Sequence, residues 1–565
     1  MELEQLLRET DHKSYPAYKR LKGRYKFDDH VLSIDHVQGD PFAAPSSVSL
    51  HISAGKHGFP KEYYDRPHRR IMLQDYLLRR FGNELRKYDR MAGGSGKSGT
   101  MSVSHPHQEV LERTAVQIDK DTGMLTVRLQ IGFPAAGRTT LSMELRKMLM
   151  EYLPKASFQT LFFQRTPKEE LTKWIGLSDD IKALRDQLPE RGLVAFVANG
   201  SILPRRSGVD DRPMKEAVKF ISPLEDEVTL DLPNGRKITG MGIKKGITLI
   251  VGGGYHGKST LLKALERGVY DHIPGDGREM VITDDSAMKL RAEDGRSIMK
   301  TDISMFIRNL PSKKDTACFS TEDASGSTSQ AASTVEALIS GSKTLLIDED
   351  TSATNFCVRD ELMQKVVLRD KEPIIPFLYR MRQLYETLGV STILVAGSSG
   401  AFFGSSDTII QMDEYNPLDI TKRAKEEAKK EGMAGINPPD ALKEVKDIRV
   451  PLPSGEKNTG RHNKVKGQGV NSVSLGYESI EIRFVEQVTD PEQTNMLGIM
   501  LRYLEENIFN GRETIPECME RLSGLIKEGG IRSLFKDRDI PGNLAMVRPL
   551  ELYAMICRYR GLKLK

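Results

Sequence analysis

Apolar and polar positions recur with different spacings along the chain, and these spacings separate three regions. Up to about residue 215, alternating runs such as Leu125–Ile131 are mixed with stretches of helical spacing such as 72–80. A passage rich in Gly and Pro between Asn199 and Pro213 closes this region, and turn residues at that density are typical of a domain junction. The pattern predicts an α+β N-terminal domain over residues 1–215.

The second region, residues 216–420, alternates short runs of β-branched residues with stretches of helical spacing. The runs predict strands at 228–232, Ile247–Val251, 304–307, 344–347 and 392–396. Strands that alternate with helices favour a mostly parallel sheet covered by helices. We therefore expect this region to form an α/β domain.

The third region, residues 421–565, begins with a charged helical stretch at 421–431. A polar passage at 451–469 follows, and then a strand-like run at 479–484 and helical spacing at 494–508. We expect a mixed C-terminal domain. The sequence has no internal repeat and no heptad array, which argues against a long coiled coil.

Composition places the 565-residue chain among ordinary globular proteins, with 38% hydrophobic and 28% charged residues. Its net charge of +5 is too small to indicate nucleic-acid binding by itself. The four cysteines are far apart and form no CxxC pair, so we expect no disulfide framework or zinc site and a reducing compartment. The N-terminus has no secretory h-region and no apolar run reaches the ~18–20 residues of a membrane span, so we expect a soluble, cytoplasmic protein.

The strongest chemical signal is the stretch 252–259, Gly-Gly-Gly-Tyr-His-Gly-Lys-Ser, which fits the P-loop pattern G-x-x-x-x-G-K-[ST] between a strand and a helical stretch. Glycines let backbone N–H groups cradle phosphates, and the helix N-terminus adds positive potential. Lys258 is expected to reach the β- and γ-phosphates of ATP, and Ser259 to bind Mg²⁺. A glycine turn without a ligand is the alternative. The expected nucleotide-binding residues are Gly252, Gly253, Gly254, Tyr255, His256, Gly257, Lys258, Ser259 and Thr260.

Two adjacent acids, Asp348 and Glu349, follow the predicted strand at 344–347. An acid at the end of a buried strand can hold the metal, and its neighbour can polarise a water in line with the γ-phosphate. We expect Asp348 to be the metal-side ligand and Glu349 the catalytic general base, although a strand end with solvated acids would look the same. With the P-loop, these residues predict ATP binding and hydrolysis.

A hydroxyl-rich stretch just upstream of these acids, 324–330, reads Ala-Ser-Gly-Ser-Thr-Ser-Gln and resembles the LSGGQ-like signature of ABC ATPases. Its second glycine is replaced by Ser327, and two further residues precede the glutamine. The resemblance implies that Ser325, Gly326 and Ser327 bind the γ-phosphate through N–H and O–H donors. A flexible Ser/Thr linker is the alternative. Residues 350–355 resemble the D-loop of the same class.

Two family features are poorly matched. A switch histidine should follow the strand at 392–396, but residues 397–400 read Gly-Ser-Ser-Gly. We expect Ser398 or Ser399 to contact the γ-phosphate in its place, and we count Ser398 with Lys258 and Glu349 among the catalytic residues. Asn309 is our substitute for the glutamine of the family's glutamine-bearing loop. These departures affect the expected hydrolysis rate more than nucleotide binding.

Over most of its length the chain is identified as a member of the family of predicted ATPases of the ABC class. The resembling segments are 37–43, 192–198, 252–261, 275–279, 291–296, 321–330 and 346–356. The family implies an ABC-type P-loop core between N- and C-terminal extensions, and RNA processing is suggested for some members. ABC chemistry also implies a homodimer, in which the signature loop of one copy completes the P-loop site of another around two ATP molecules.

A second glycine-rich stretch, 93–99, resembles a P-loop, but Met91 stands where the first glycine belongs and a strand-like run follows. We expect a glycine loop there, in which Lys97 could contact a phosphate backbone, and not a second ATP site. His105 and His107 share a strand-like spacing without a third ligand, so we expect surface histidines and no metal.

Basic residues are dense at 19–26 and 66–70, and Lys464 and Lys466 add to them. These groups could line a groove for RNA or single-stranded DNA in which Tyr25 stacks on a base, and solvated charged faces are an equal alternative. The sequence thus predicts a soluble ABC-class ATPase coupled to nucleic acid. A nucleotide-gated scaffold for protein assembly, with slow hydrolysis, is the alternative function.

Overall fold

The structure is a computed structural model that describes residues 2–359, 372–397, 399–432, 440–453, 465–535 and 539–565. The chain forms two compact units, and each is described separately below. The first unit comprises Met1–Asp179 and Ile531–Met546, and the second comprises Asp180–Gly530 and Val547–Lys565. The predicted division into domains at residues 215 and 420 stays a prediction.

An antiparallel sheet organises the first unit. Its strands are, in spatial order, Gly23–Lys26, Val31–His36, Ser46–Ile52, Leu125–Ile131 and Met101–Ser102, with Val116–Ile118 also paired to Leu125–Ile131. The predicted strand Leu125–Ile131 is confirmed, and its residues are alternately buried and partly exposed because successive side chains of a strand point to opposite faces. The remaining short strands of this unit are Glu109–Val110, Ala135–Ala136 and Thr139–Thr140.

Helices cover this sheet. They are Glu2–Thr10, Ala54–His57, Pro67–Leu85, Ser142–Lys147 and Leu153–Thr160, with 3₁₀ turns at Tyr15–Leu21, Lys61–Tyr63 and Phe163–Arg165 and a π-helical turn at Met148–Tyr152. A further helix, Lys168–Glu190, spans the sequence boundary between the two units.

Buried tyrosines form part of the core of the first unit. The hydroxyls of Tyr15 and Tyr18 donate to the carbonyls of Phe133 and Pro134 at 3.0 and 2.7 Å, so their polar atoms are satisfied inside the core. Tyr25 belongs to the same core, and its hydroxyl donates to the Leu21 carbonyl at 2.8 Å. The prediction that Tyr25 stacks on a nucleic-acid base is therefore wrong, because its ring is buried.

Residues 531–546 complete the first unit from the far end of the sequence. The backbone N–H of Thr114 donates to the Leu544 carbonyl at 2.9 Å, and the Met546 N–H donates to the Glu112 carbonyl at 2.8 Å. The Thr114 hydroxyl also accepts from the Leu544 N–H at 3.1 Å. Backbone hydrogen bonds therefore join two segments that are more than four hundred positions apart in sequence.

The second unit is built on a six-stranded sheet, which confirms the predicted α/β class. Its strands are, in spatial order, Met288–Leu290, Thr344–Asp348, Ser391–Val395, Ile247–Val251, Thr408–Asp413 and Asn416–Asp419. The first five run parallel, and the last forms an antiparallel hairpin with its neighbour. Three neighbouring strands in the middle of this sheet consist mostly of apolar residues, because both faces of a parallel sheet are covered. They are Thr344–Asp348, Ser391–Val395 and Ile247–Val251.

Helices and a smaller sheet surround the parallel sheet. The helices are Lys258–Arg267, Gly326–Ile339, Thr354–Cys357, Phe377–Leu388 and Thr421–Lys430. An antiparallel sheet has the spatial order Glu227–Asp231, Lys237–Lys244, Leu193–Ala198 and Val281–Thr283. The short strand Asp271–His272 and the two-stranded pairs Arg205–Ser207 with Asp210–Pro213 and Arg296–Thr301 with Phe319–Ala324 complete this part.

The C-terminal residues of the second unit form a three-stranded sheet and helices. The strands are Val465–Gln468, Ser472–Leu475 and Glu478–Glu481, and the helices are Pro491–Asn507, Ile515–Gly529 and Pro549–Ile556. The predicted helical stretches at 421–431 and 494–508 are confirmed to within a few residues at their ends.

The predicted strand at 304–307 is wrong. This segment is a turn with one isolated bridge between Ile307 and Ile374. Its apolar residues are buried for another reason, since the Phe306 ring packs against Phe356 and Phe377 at centroid distances of 5.1 and 6.3 Å. An apolar run therefore marked an aromatic cluster and not a ladder strand.

A buried ion pair joins helix Gly326–Ile339 to strand Arg296–Thr301. Arg296 donates to the Glu336 carboxylate and to the Ser333 hydroxyl, and both charged side chains are almost fully buried. Removing one partner of such a pair leaves an uncompensated charge in a poorly solvating interior.

We expect Arg296→Met to lower the free energy of unfolding by about 3–5 kcal/mol, because Glu336 would stay buried without its partner. Chemical denaturation measures this change. The matched control is Arg521→Met, which breaks an exposed pair with Glu513 and should cost about 0–1 kcal/mol. Equal losses in the two variants would contradict the structural role assigned to the buried pair.

Candidate nucleotide site

The predicted P-loop joins strand Ile247–Val251 to helix Lys258–Arg267. Two of its glycines have left-handed backbones, with φ of 141° at Gly252 and 100° at Gly257. A Cβ atom at Gly252 would lie 2.4 Å from the Met412 carbonyl oxygen, and one at Gly257 would lie 2.9 Å from the Tyr415 ring. Both glycines are therefore required by backbone conformation and by close approach of the neighbouring hairpin.

Lys258 lies buried inside this loop. Its ammonium donates to the carbonyl oxygens of Gly252 and Gly253, both at 2.8 Å. Ser259 follows in the first helical turn and is exposed, as are Gly253 and Gly254. The loop thus presents a positive charge, a hydroxyl and a helix N-terminus at one place, which is the arrangement that phosphate recognition needs.

The acidic residues meet the P-loop at the same edge of the sheet. Val395 of the middle strand is the register partner of Ile250 on one side and of Asp348 on the other. Because adjacent strands are ~4.8 Å apart, Asp348 lies level with the last residues before the P-loop and about 10 Å across from them. The Glu349 carboxylate accepts a hydrogen bond from the Gly397 N–H at 2.9 Å, just after the middle strand.

Asp348 is a buried carboxylate, with 7% of its surface exposed. Burial raises the pKa of Asp348, and the nearby Lys289 ammonium opposes that rise. One carboxylate oxygen also accepts from the Asp350 N–H at 3.2 Å. A carboxylate and a hydroxyl are the hard oxygen ligands that Mg²⁺ prefers, so Asp348 and Ser259 fit the predicted metal site.

Lys289 was not predicted as part of the site. It lies on strand Met288–Leu290, which runs next to Thr344–Asp348, and its ammonium is buried without a hydrogen-bond partner in the described part of the chain. Burial lowers the pKa of Lys289, whereas Glu486 and Asp348 raise it. The sequence contained one indication that Lys289 is buried, namely that it lies between two apolar residues of a short strand.

The signature-like stretch starts helix Gly326–Ile339, so the alternative of a flexible linker is wrong. Ser325 is the N-cap, and its side chain accepts a hydrogen bond from the Thr328 N–H at 3.4 Å. Ser325 is exposed, but the Ser327 hydroxyl is buried and donates to the Asn355 side chain at 2.5 Å. The γ-phosphate role of Ser325, Gly326 and Ser327 stays a prediction.

The D-loop-like segment is tied to that helix. The Gln330 amide donates to the Ser352 hydroxyl at 2.8 Å and accepts from the Ala353 N–H at 2.9 Å. These hydrogen bonds join the start of the helix to residues 352–355 in one surface. We call it the signature surface and define it as Ser325, Gly326 and residues 352–355.

The sequence predicted three further site residues, Ser398, Ser399 and Asn309. Ser398 lies outside the described residues, and the hydroxyl of its neighbour Ser399 accepts from the Ala401 N–H at 3.4 Å. Asn309 is exposed with φ of 50°. The γ-phosphate contact of Ser398 or Ser399, and the place of Asn309 in the glutamine-bearing loop, stay predictions.

The second glycine-rich stretch, 93–99, is a loop, as predicted. The short strand Met101–Ser102 follows it in place of a helix, and the Lys97 N–H donates to the Pro41 carbonyl at 2.8 Å. His105 and His107 are exposed. Within the described residues, no group of three or more metal-ligating side chains lies together.

The basic segments of the first unit are partly neutralised. Arg69 donates two hydrogen bonds of 2.7 Å to Asp179, and Arg20 pairs with Glu9 at 2.6 Å. Lys19, Arg24 and Lys26 are exposed cations. In the second unit Lys466 is exposed on strand Val465–Gln468, and Lys464 lies outside the described residues. The segment 19–26 therefore retains exposed positive charge.

Three family models match this chain, and together they span most of it. A model described as the ABC ATPase P-loop domain matches residues 167–447, one described as the N-terminal region of ATPases of the ABC class matches 1–164, and one described as the MRB1590 C-terminal domain matches 464–565. An uncharacterized protein of Methanocaldococcus jannaschii, MJ1628, is 37% identical over 256 residues, which are 42% of this chain and 55% of that protein. The chain thus spans about half the length of this relative.

Two solved structures of transporter ATPases were also matched. One is cbiO1 from Clostridium perfringens, part of the ABC transporter complex cbiONQ, with 13% identity, a TM-score of 0.26, and coverage of 42% of this chain and 94% of that one. The other is the ADP conformation of MJ1267, an ATP-binding cassette of an ABC transporter, with 11% identity, a TM-score of 0.23, and coverage of 36% and 95%. In the described part of this chain, no helix is both long and apolar enough to cross a membrane.

We expect Gly257→Ala to weaken nucleotide binding about 5- to 30-fold. Alanine resists the left-handed conformation by about 1–2 kcal/mol, and its Cβ would also meet the Tyr415 ring. Titration with a fluorescent ATP analogue measures the affinity. The control is Gly524→Ala in helix Ile515–Gly529, where a Cβ meets nothing within 4 Å and affinity should not change. Wild-type affinity in Gly257→Ala would contradict the assigned loop geometry.

Asp348→Asn should stabilise the ligand-free protein at alkaline pH. A carboxyl with a raised pKa binds its proton more tightly in the folded state, so its effect on stability becomes less favourable as pH rises through that range. We therefore expect the melting temperature of the variant in EDTA to exceed that of the parent at pH 8, and the difference to shrink as pH falls. Glu426→Gln, at an exposed position of helix Thr421–Lys430 away from Asp348, controls for loss of a charge. A less stable variant at pH 8 would argue against a costly buried carboxylate.

Proposed function

This chain belongs to the family of ABC-class ATPases, and we propose that it hydrolyses MgATP as a homodimer whose cycle is coupled to binding of RNA or another single-stranded nucleic acid. The observation that carries the catalytic part is the shared register of Ile250, Val395 and Asp348. It supports a site in which the P-loop and the two acids act on one triphosphate.

Each residue has a proposed task in this site. Lys258 and the N–H groups from Gly254 to Thr260 bind the phosphates, and Ser259 with Asp348 holds Mg²⁺. When bound, Mg²⁺ supplies positive charge to the β- and γ-phosphate oxygens. Glu349 accepts a proton from the attacking water, and its hydrogen bond to Gly397 supports this role because it fixes the carboxylate at the sheet edge.

The position of the signature surface supports the proposed dimer. Ser325 is exposed at the start of a capped helix, so its hydroxyl and the first N–H groups of that helix are accessible to a phosphate. In the ABC class such a surface completes the site of another copy. This supports a homodimer with two ATP molecules as the arrangement that uses both surfaces of one chain.

The nucleic-acid part rests on the exposed cations Lys19, Arg24 and Lys26 of the first unit. Neutralising phosphates with such groups releases counterions and gives binding that weakens with salt. The pairing of Arg20 and Arg69 with acids lowers the net charge that the segments 19–26 and 66–70 offer. Because the spacing of the cysteines favours a reducing compartment, we place this activity in the cytoplasm.

A slow ATPase that gates protein assembly is the second candidate. It is favoured by the Ser327 hydroxyl, which is already committed to Asn355, and by the sequence Gly-Ser-Ser-Gly at 397–400 in place of a switch histidine. Both features reduce the donors available to the γ-phosphate. Tight ATP-dependent dimerisation with slow turnover and no response to nucleic acid would identify this function.

We expect Glu349→Gln to lower the ATP hydrolysis rate about 10²- to 10⁴-fold while ATP binding is retained, because the amide cannot accept the proton of the attacking water. Steady-state hydrolysis with and without single-stranded RNA measures both halves of the proposal. Glu426→Gln, at an exposed position of helix Thr421–Lys430, is the matched control and should hydrolyse ATP at the parent rate.

Stimulation of the parent by RNA, lost at high salt and reduced in Arg24→Glu, would support coupling to nucleic acid. Hydrolysis that needs Glu349 but ignores RNA would remove the nucleic-acid part and favour a protein partner. Hydrolysis unchanged by Glu349→Gln would overturn the catalytic assignment.

A further inference from the structure

Tyr255 is an unusual residue in a phosphate-binding loop. It is exposed over 99% of its surface, and its backbone φ of 64° lies in the left-handed region. A bulky residue adopts that conformation at a cost in free energy, and an exposed apolar ring gains nothing from folding. Such a residue at a ligand site points to a contact that the isolated chain does not make.

Hydrogen bonds hold the backbone of the loop that carries Tyr255, so the point from which its ring projects is defined. The His256 ring accepts a hydrogen bond from the Glu414 N–H at 2.9 Å and lies 3.2 Å from the Asp413 carboxylate. The Tyr415 N–H donates to the His256 carbonyl at 3.1 Å, and the Tyr415 ring packs against Gly257. The hairpin Thr408–Asp413 and Asn416–Asp419 therefore imposes the conformation of the loop from outside.

The position of Tyr255 argues against contact with the adenine. It lies within the loop whose N–H groups face the phosphates, whereas the base is separated from that loop by the length of the triphosphate and ribose. In the proposed dimer, the surface that approaches the phosphate end of the P-loop is the signature surface of the second copy. A second copy of this chain is therefore the occupant to which the geometry points.

The signature surface is suited to receive a ring. It is lined by small side chains, and the Cβ of Ala353 lies 3.6 Å from the place where Gly326 would carry a Cβ. Thr354 and Asn355 beside them are exposed, and the bonds of Gln330 keep the segment in place. A projecting aromatic ring and a firm surface of small residues are complementary in shape.

We propose that Tyr255 crosses the dimer interface and packs its ring on the signature surface of the second copy, where it contributes to closure of the ATP-bound dimer. The inference rests on the proposed homodimer and adds a contact that is separate from the binding of phosphate. Aromatic side chains that are buried in an interface are often among the residues on which affinity depends most.

The first test compares dimerisation in a Glu349→Gln parent, which retains ATP. Sedimentation velocity over a range of concentrations gives the dimer Kd with and without ATP. Tyr255→Gly should raise the ATP-bound dimer Kd at least about tenfold, as expected for loss of an aromatic anchor. Glycine keeps the backbone N–H and accepts a positive φ, so the melting temperature should not fall. Tyr477→Ala, at another exposed tyrosine on a turn of the second unit, should leave the Kd unchanged.

The second test measures proximity directly. Tyr255→Cys and Thr354→Cys are combined in a Cys318→Ser background, since Cys318 is the exposed native cysteine and the other three are buried. A bifunctional thiol reagent should give a covalent dimer in the presence of ATP, and either single cysteine should give much less. Equal dimer yield without ATP would contradict a contact made on closure.

The outcomes separate the inference from the function on which it rests. A parent that stays monomeric with ATP would overturn the homodimer and the Tyr255 contact together. A parent that dimerises equally well after Tyr255→Gly would overturn the Tyr255 contact alone. If Tyr255→Gly weakened ATP binding by the monomer as much as it weakened dimerisation, the ring would contact the nucleotide. This result would also overturn the inference.

Discussion

The position of one strand, Ser391–Val395, determines whether the chemical groups of the second unit can act together. It pairs in parallel with the P-loop strand on one side and the acid strand on the other, and Val395 fixes the level of both. A slip of one residue in the ladder between Thr344–Asp348 and the middle strand would turn Asp348 to the opposite face of the sheet. The P-loop carries the Lys258 ammonium and the acid strand ends in two carboxylates, and the register brings these groups to the same edge of the sheet.

The sequence predicted those parts of the site whose local geometry is dictated by residue type. Glycines with left-handed backbones and a lysine at a helix start specify a P-loop almost independently of the rest of the chain. Lys289 could not be found in this way, because its place beside Asp348 depends on which strand pairs with which. The segment 304–307 misled for a related reason, since apolar residues report burial but not whether a ladder or an aromatic cluster buries them.

The candidate site contains several groups that folding alone would not favour. Asp348 is a buried carboxylate, Lys289 is a buried ammonium without a hydrogen-bond partner among the described residues, and Tyr255 is an exposed ring on a left-handed backbone. Elsewhere in the same unit, Arg296 and Glu336 show buried charges that face each other as an ion pair. Sites that break the local rules of stability are typically those on which function depends, and their cost is offset by the well-packed sheet that carries them.

The contribution of residues 531–546 to the first unit has a consequence for biosynthesis. Backbone partners of Glu112 and Thr114 lie near the end of the sequence. Most of the first unit therefore emerges from the ribosome before its last segment has been synthesised. Folding that starts at the N-terminus must pause in an incomplete state until the whole ATPase core has been made. Premature termination anywhere before residue 531 would thus damage both units. The first unit would be incomplete even though most of its residues are synthesised first.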